Sequence, residues 1–270
     1  MDYNRLIREA SLGDNEALIE LQTQFKRINL TVDRAVDKSI LDFFKECNIT
    51  YDPNIQEIDL SRNDISDISH LSPLSNLTNL THLSLFYNRI VDISSLSHLT
   101  NLTLLDLAFN NITDLSPISS LTNLTDLTIG SNNLSDVSSL SNLTNLSILY
   151  LAYNNITDLS SLSGLTNLQQ LYISENNITD ISPLSSLTNL SRLNLDNNKI
   201  SDISPLSNLT NLQYLYLTYN NITDLSPLSN LTNLQYIDIS QNNRLSSSLI
   251  GKLRKQLPNC EFISHKFPKY

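Results

Sequence analysis

Residues 102–121 of the chain read LTLLDLAFNNITDLSPISSL, and this pattern of leucine, asparagine, aspartate and serine recurs at every twenty-second position. One asparagine marks each unit at the same place: Asn88, Asn110, Asn132, Asn154, Asn176, Asn198, Asn220 and Asn242. A fixed period of this length is typical of a solenoid, in which each unit buries its apolar face against its neighbours. We therefore expect one elongated repeat domain, with any function on a surface that the repeats display.

The first half of each unit has strand spacing. In the quoted unit Leu102, Leu105 and Leu107 are the apolar positions, and the last two alternate with polar neighbours. Equivalent triplets recur from residues 55–60 to residues 234–239. The repeats therefore predict nine parallel strands.

The second half of each unit has the spacing of a tighter turn. Leu115, Ile118 and Leu121 come three residues apart, which matches a 3₁₀ turn better than an α-helix. Ser116 before Pro117 is interpreted as an N-cap followed by the preferred first helical residue. The sequence thus predicts an α/β solenoid whose outer side is made of short 3₁₀ turns.

The recurring polar residues of the unit have structural interpretations. An amide side chain pointing inward can donate to and accept from the main chain of neighbouring turns, so the eight marker asparagines are expected to form a structural ladder. A column of aspartates also recurs, at Asp92, Asp114, Asp136, Asp158, Asp180, Asp202 and Asp224. One carboxylate per coil does not converge on a point as a calcium site requires, so we expect these residues to cap turns. No metal and no cofactor is predicted.

The unit Leu-x-x-Leu-x-Leu-x-x-Asn-x-Ile-x-Asp-Ile/Leu-Ser-Pro/Ser-Leu-x-x-Leu resembles the 22-residue class of leucine-rich repeat, which bacterial internalins and the regulatory subunits of a eukaryotic serine/threonine phosphatase share. The resemblance covers about residues 53–245. It implies a right-handed horseshoe with its parallel sheet on the concave face, used for binding proteins. Two departures occur: the interval from Asn63 to Asn88 is three positions longer than the period, and Arg244 takes the usual isoleucine position.

The chain divides into three parts. Residues 1–50 have helical patterns and are predicted to form an N-terminal cap, residues 51–245 hold the nine repeat strands, and residues 246–270 are predicted to form a C-terminal cap. In the last part Leu249, Leu253 and neighbouring apolar residues make one helical face, and an edge strand is expected near residue 262.

Composition narrows the classes of partner. The net charge of -10 disfavours nucleic acid and anionic membranes, since either needs a basic face. No apolar run has the length of a membrane span, and residues 1–10 are too charged for a signal peptide. Cys47 and Cys260 flank opposite ends of the repeats and are expected to stay unbridged. We therefore expect a cytoplasmic monomer.

The candidate binding residues lie where strand residues face away from the core, or just before the marker asparagines. Eight of the eleven tyrosines fall there, with two phenylalanines and a few charged residues. The predicted partner-binding residues are Phe86, Tyr87, Phe109, Tyr150, Tyr153, Tyr172, Tyr214, Tyr216, Tyr219, Tyr236, Asp106, Asp126 and Arg192. Aromatic residues of this kind act as interface anchors, although they also form cross-strand ladders without any ligand. In the fourth repeat small residues such as Thr128 and Gly130 predict a recess.

A catalytic interpretation is weak. His82 and Ser84 share one strand face, and Asp59 and Asp106 flank Ser84 on adjacent strands. Side chains two apart on a strand lack the oxyanion donors that acyl transfer needs, and an open sheet excludes no water. We therefore expect no enzyme.

Two functional hypotheses remain from different classes. The first is a non-enzymatic scaffold or adaptor that binds a protein partner with a basic surface on a tyrosine-rich, acidic concave face. The alternative is a carbohydrate-binding or internalin-like adhesive module, since aromatic faces stack on sugar rings. The spread of the tyrosines over the whole arc favours a protein partner.

Overall fold

The computed structural model of the protein describes residues 54–264 apart from positions 70, 72, 73, 75, 76 and 78. The helical cap predicted for residues 1–50, with Cys47, lies outside the described residues. Ten strands of the described part form one parallel sheet whose order follows the chain. They are β1 Glu57–Asp59, β2 His82–Ser84, β3 Leu104–Asp106, β4 Asp126–Thr128, β5 Ile148–Tyr150, β6 Gln170–Tyr172, β7 Arg192–Asn194, β8 Tyr214–Tyr216, β9 Tyr236–Asp238 and β10 Glu261–Ile263.

Equivalent residues of successive coils lie side by side in the sheet. Ser84 of β2, for example, pairs with Asp59 of β1 on one side and with Asp106 of β3 on the other. The same register holds from β1 to β10. Each position of the repeat therefore becomes a straight column of side chains across the sheet.

The connections between strands carry 3₁₀ turns on the convex side, and the predicted right-handed solenoid with a parallel sheet is confirmed. The turns span Ser94–His98, Ser116–Ile118, Ser138–Asn142, Ser160–Leu162, Ser182–Ser186, Ser204–Asn208 and Ser226–Leu228. Their short length follows from apolar residues spaced three apart, which eclipse one another in a 3₁₀ turn.

One continuous apolar core fills the solenoid. Leu105 in the strand, Leu107 just after it, Ile118 in the turn and Leu121 just after it are fully buried, and so are their equivalents in most coils. Each such leucine stabilises the fold by roughly 1.5–3 kcal/mol relative to an exposed one. Stability is therefore distributed evenly along the array instead of residing in one centre.

The C-terminal end of the core is covered by a helix and a strand. The helix α1, Ser247–Gln256, is capped by Ser246, whose hydroxyl accepts a hydrogen bond from the Leu249 N–H at 3.3 Å. Leu253 and Phe262 join the core. Within the described residues, no helix is long and apolar enough to cross a membrane.

The marker asparagines form an inner ladder, a name we keep for Asn88 and its seven equivalents. In Asn110 the amide nitrogen donates to the carbonyls of Leu85 at 2.9 Å and Leu107 at 3.1 Å, and the amide oxygen accepts from the Ile90 N–H at 2.9 Å. Every later member repeats the donor contacts to its own and the preceding coil. The ladder satisfies backbone groups that the short strands leave unpaired.

The aspartate column caps the turns, whereas the predicted serine N-cap is wrong. Asp114 accepts from the Ser116 N–H at 2.8 Å and from the Ser116 hydroxyl at 2.9 Å. Ser116 is already the first residue of its turn, and the N-cap position belongs to Leu115, which makes no side-chain cap. The aspartate, two residues earlier, reaches the turn that the serine was expected to cap. Hydrogen bonds from the following serine lower the pKa of Asp136, Asp202 and Asp224.

A second set of asparagines forms an outer ladder that the sequence analysis did not single out. Asn145 donates from its amide nitrogen to the Thr122 carbonyl at 2.9 Å, across one coil interface. The outer ladder comprises Asn123, Asn145, Asn167, Asn189, Asn211 and Asn233, each bonded to a threonine carbonyl of the preceding coil. These side chains are exposed, so their recurrence at the repeat period is the signal that could have identified them.

Candidate protein-binding face

Four positions of each coil make up the concave face. They are the first and third residues of each strand and the two residues that precede each inner-ladder asparagine. The residue directly before that asparagine, or before Asn63 in the first coil, has a positive φ in every described coil, from Arg62 to Gln241. We call this last column the edge row. Its left-handed backbone turns the chain away from the sheet and presents the side chain at the rim of the concave face.

An aromatic cluster occupies the N-terminal part of the face. The Phe86 ring lies 5.3 Å from Phe109 and 6.1 Å from Tyr87, and Tyr87 lies 5.9 Å from Phe109. The guanidinium of Arg62 lies 5.2 Å from the centre of the Tyr87 ring. These predicted site residues are therefore brought together, with Tyr87 projecting 55% exposed at the rim.

Two of the predicted anchors pack on each other instead of facing solvent. The Tyr150 and Tyr172 rings are stacked with centres 4.2 Å apart and planes 2° from parallel, and each residue is only 4% exposed. With Ile148 they form a small apolar cluster of their own on the concave side. We expected accessible rings here, and the structure corrects that expectation. Parallel strands place these tyrosines side by side in one column, so the rings bury each other, which is the cross-strand packing left open as an alternative.

The C-terminal tyrosines form a more accessible group. Tyr216 and Tyr236 have ring centres 5.2 Å apart, and the Arg192 guanidinium lies 4.3 Å from the centre of the Tyr214 ring. Tyr219 is half exposed at the rim. Burial, and then the nearby Asp238 carboxylate, raises the pKa of Tyr236 to about 12, so its hydroxyl keeps its proton as a hydrogen-bond donor.

The recess predicted in the fourth repeat stays a prediction, and the structure shows how its small residues are placed. Thr128 and Gly130 are buried, and a Cβ added at Gly130 would lie 3.0 Å from the Ala152 carbonyl oxygen. The backbones of the fourth and fifth coils thus approach each other closely at Gly130, which has no side chain to separate them. Tyr153, in the fifth coil, is 47% exposed.

Carboxylates on the face are more buried than the sequence suggested. Burial raises the pKa of Asp106 to about 7 and that of Asp196 to about 7. Asp106 accepts from the Ala108 N–H at 2.9 Å, and Asp196 from the Thr218 N–H at 2.6 Å. Burial also raises the pKa of Asp126, against the opposing effect of a 2.7 Å hydrogen bond from the Thr125 hydroxyl. Desolvation depends on neighbours in adjacent coils, which the pattern of one repeat does not reveal.

The catalytic grouping of histidine, serine and aspartate is not assembled. The Ser84 hydroxyl lies 2.8 Å from that of Ser61, and Ser61 is bonded to Asp59. The Nδ1 atom of His82 is engaged instead with the Thr81 hydroxyl, at 2.8 Å. Among the described residues no hydrogen bond connects Ser84 to His82.

Comparison with known proteins identifies the repeats. The family model described as leucine-rich repeats in two copies matches residues 53–98, 78–120, 100–142, 122–164, 144–181, 166–208 and 210–254. No curated protein matches the chain. The solved structure of internalin C2 from Listeria monocytogenes is 34% identical, covers 78% of this chain and all of its own, and superposes with a TM-score of 0.70.

Two further solved structures are similar. An internalin, InlF, from Listeria monocytogenes is 29% identical with a TM-score of 0.54, covering 86% of this chain and 89% of its own. A leucine-rich repeat protein from Leptospira interrogans is 28% identical with a TM-score of 0.63, covering 76% of this chain and 59% of its own. From its repeat unit, its sheet and these matches, the chain belongs to the leucine-rich repeat family, with repeats of the internalin type that form modules for binding proteins.

Proposed function

We propose that the protein is a non-enzymatic scaffold or adaptor that binds a basic surface of a partner protein on its concave face. The observation that carries the proposal is the charge of that face. Among its described positions, eight residues are acidic and two are arginines. Two of the acids, Asp106 and Asp196, have pKa values of about 7 and are only partly ionised at neutral pH, so the other six supply most of the charge. The acidic residues are Glu57, Asp59, Asp106, Asp126, Glu175, Asp196, Asp238 and Glu261.

This excess of negative charge is larger than the basic side chains of the face can neutralise. Its two arginines lie over aromatic rings, Arg62 against Tyr87 and Arg192 against Tyr214. A face on which one sign of charge predominates favours a partner of opposite sign, both by steering its approach and by rejecting acidic competitors. A basic protein surface therefore fits the face better than a neutral one.

The aromatic side chains supply contact area beside the charges. Tyr214, Tyr216 and Tyr219 are each partly or half exposed, and Tyr216 pairs with Asp238 of the next strand. Tyrosine contributes a large rigid surface and one hydroxyl, at a low entropic cost, which is why a few such residues dominate interface energies. The C-terminal group is thus the accessible centre of the proposed interface.

A cross-linking pull-down from the native host tests this function. The full chain is the bait, and the variant carries Tyr214→Ala, Tyr216→Ala and Tyr219→Ala. We expect the variant to lose a specific partner, since central aromatic anchors each contribute about 2 kcal/mol or more. Circular dichroism should remain that of the parent, because these rings do not enter the solenoid core.

A matched control replaces two residues of the convex 3₁₀ turns, Ser141→Ala and Ser207→Ala. It should retain the partner. Capture by the tyrosine variant but not by this control would place the interface on the convex side and contradict the proposal. A strong glycan-array signal together with no specific protein partner would favour the carbohydrate-binding alternative.

The cytoplasmic location and the monomeric state stay predictions. Both were inferred from composition, and each has a direct measurement. Fractionation of the native host tests the location, and sedimentation of the purified chain tests the monomer.

A further inference from the structure

The edge row is a costly place for a bulky side chain. Every described member has a positive φ, between 50° at Asn197 and 59° at Gln241. Glycine and asparagine adopt this left-handed conformation readily, whereas an aromatic residue there is uncommon. Asn197 shows that the fold accepts the preferred residue. Aromatic residues in the row therefore serve something other than local backbone stability.

Three of the four aromatic members of the row are also the most accessible aromatic residues in the described chain, whereas the fourth, Phe109, is half-buried. Tyr87, Tyr153 and Tyr219 are the three aromatic side chains that remain largely exposed, at 55%, 47% and 50%. Their positions are regular, because consecutive members lie three whole repeats apart in the sequence. The three rings thus recur at an equal interval along one straight column.

That interval fits one kind of backbone. Three coils of about 4.8 Å separate neighbouring rings by roughly 14 Å, and four residues of an extended strand span about 13.6 Å with side chains on the same face. One face of an α-helix recurs instead at about 10.5 Å or 16.5 Å, after seven or eleven residues. We propose that the partner presents an extended segment along the edge row, with apolar side chains four residues apart on Tyr87, Tyr153 and Tyr219.

The polar members of the edge row indicate which charge the partner's extended segment carries. Between Tyr153 and Tyr219 the row holds Glu175 and Asn197, and the Asn197 amide donates to a Glu175 carboxylate oxygen at 2.7 Å. That bond fixes the carboxylate on the row. Glu175 is the member of the row that follows Tyr153, and its charge adds to burial in raising the pKa of Tyr153. The segment residue midway between the second and third apolar anchors faces this carboxylate and is basic.

This inference rests on the proposed binding function and specifies the part of the concave face that the partner uses. A library of random peptides of about twelve residues, long enough for three positions four apart, is selected against the full chain. We expect enriched peptides with apolar residues at four-residue spacing and a lysine or arginine between the second and third. Their affinity should fall by about tenfold or more in Tyr153→Asn.

Tyr153→Asn separates loss of binding from loss of stability, because asparagine adopts a left-handed backbone more readily than tyrosine does. Its melting temperature should equal or exceed that of the parent, so lost binding cannot be attributed to unfolding. Tyr153→Phe is the conservative companion and should retain most of the affinity, because the ring persists.

The outcomes separate this inference from the general function. Peptides that bind Tyr153→Asn normally but lose affinity for Tyr216→Ala would overturn the edge-row inference and leave a concave binding face. Peptides insensitive to both variants would contradict both proposals. Enrichment of helical spacing, or of no peptide at all, would also overturn the extended-segment inference.

Discussion

At the scale of single residues, two adjacent asparagines show how position decides energy. Asn154 is buried in the inner ladder, where its amide donates to Ile129 and Leu151 and accepts from the Leu134 N–H at 3.0 Å. Its neighbour Asn155 is exposed, and its main-chain N–H donates to the Leu134 carbonyl at 2.8 Å. An alanine at this second position keeps that main-chain bond. The same residue type is thus structural at one position and dispensable at the next.

We expect Asn154→Ala to lower the free energy of unfolding by about 1–3 kcal/mol, because buried backbone groups lose their partners. Asn155→Ala should change it much less. Urea denaturation of the two variants beside the parent measures both effects. Equal losses would show that the inner ladder contributes no more than an exposed side chain.

At the scale of the element, the 3₁₀ turns differ in one buried hydroxyl. Ser161 donates to the Val137 carbonyl at 3.0 Å, across a coil interface. Ser95 holds the equivalent place in an earlier turn, yet its buried hydroxyl has no hydrogen-bond partner among the described residues. The interval before it, from Asn63 to Asn88, is three positions longer than the usual repeat. The two turns therefore share a sequence position but not a contact.

Ser95→Ala should raise the free energy of unfolding by roughly 1 kcal/mol, since it removes an unpaired buried polar group. Ser161→Ala should lower it by a similar amount, because the Val137 carbonyl then loses a donor. Thermal melts of both variants check the opposite signs. Destabilisation by both would indicate that the Ser95 hydroxyl contributes a favourable contact.

The strands and turns could be predicted from the sequence because the same pattern recurs in every unit. Strand spacing, the 3₁₀ turns and the inward asparagines follow from one unit read with its period. Contacts between neighbouring coils did not follow from one unit. Tyr150 and Tyr172 face the predicted side, but they bury each other because adjacent coils align them. Asp106 is likewise buried in the assembled sheet, which its position in one unit does not reveal.

At the scale of the whole molecule, two buried carboxyl groups set the response to pH. Asp106 and Asp196 have pKa values raised to about 7, mainly by burial, from an ordinary value of 3.8. A carboxyl whose pKa is higher in the folded state stabilises the fold fully below its unfolded pKa. That stability is lost as pH rises through the folded pKa. The relevant window is therefore between about pH 4 and pH 7.

We expect the protein to become more stable as the pH falls from about 8 to about 5, by roughly 2–3 kcal/mol for Asp106 alone. Asp106→Asn should raise stability at the upper end and flatten the dependence, since an amide keeps the bond to Ala108 without a charge. Denaturation at several pH values compares the two proteins. A parent that is less stable at pH 5 than at pH 8 would contradict the assignment.

The hydrogen bonds of both asparagine ladders cross from one coil to the next, and this has a mechanical consequence. A force that pulls the two ends of the array apart loads every coil interface in series, so the weakest interface opens first. Each released coil would lengthen the chain by roughly 70 Å, the extended length of one repeat. The protein should therefore extend in steps under tension, as the coils detach one at a time. We expect the coil that contains Ser95 to detach early, because the buried Ser95 hydroxyl has no hydrogen-bond partner among the described residues.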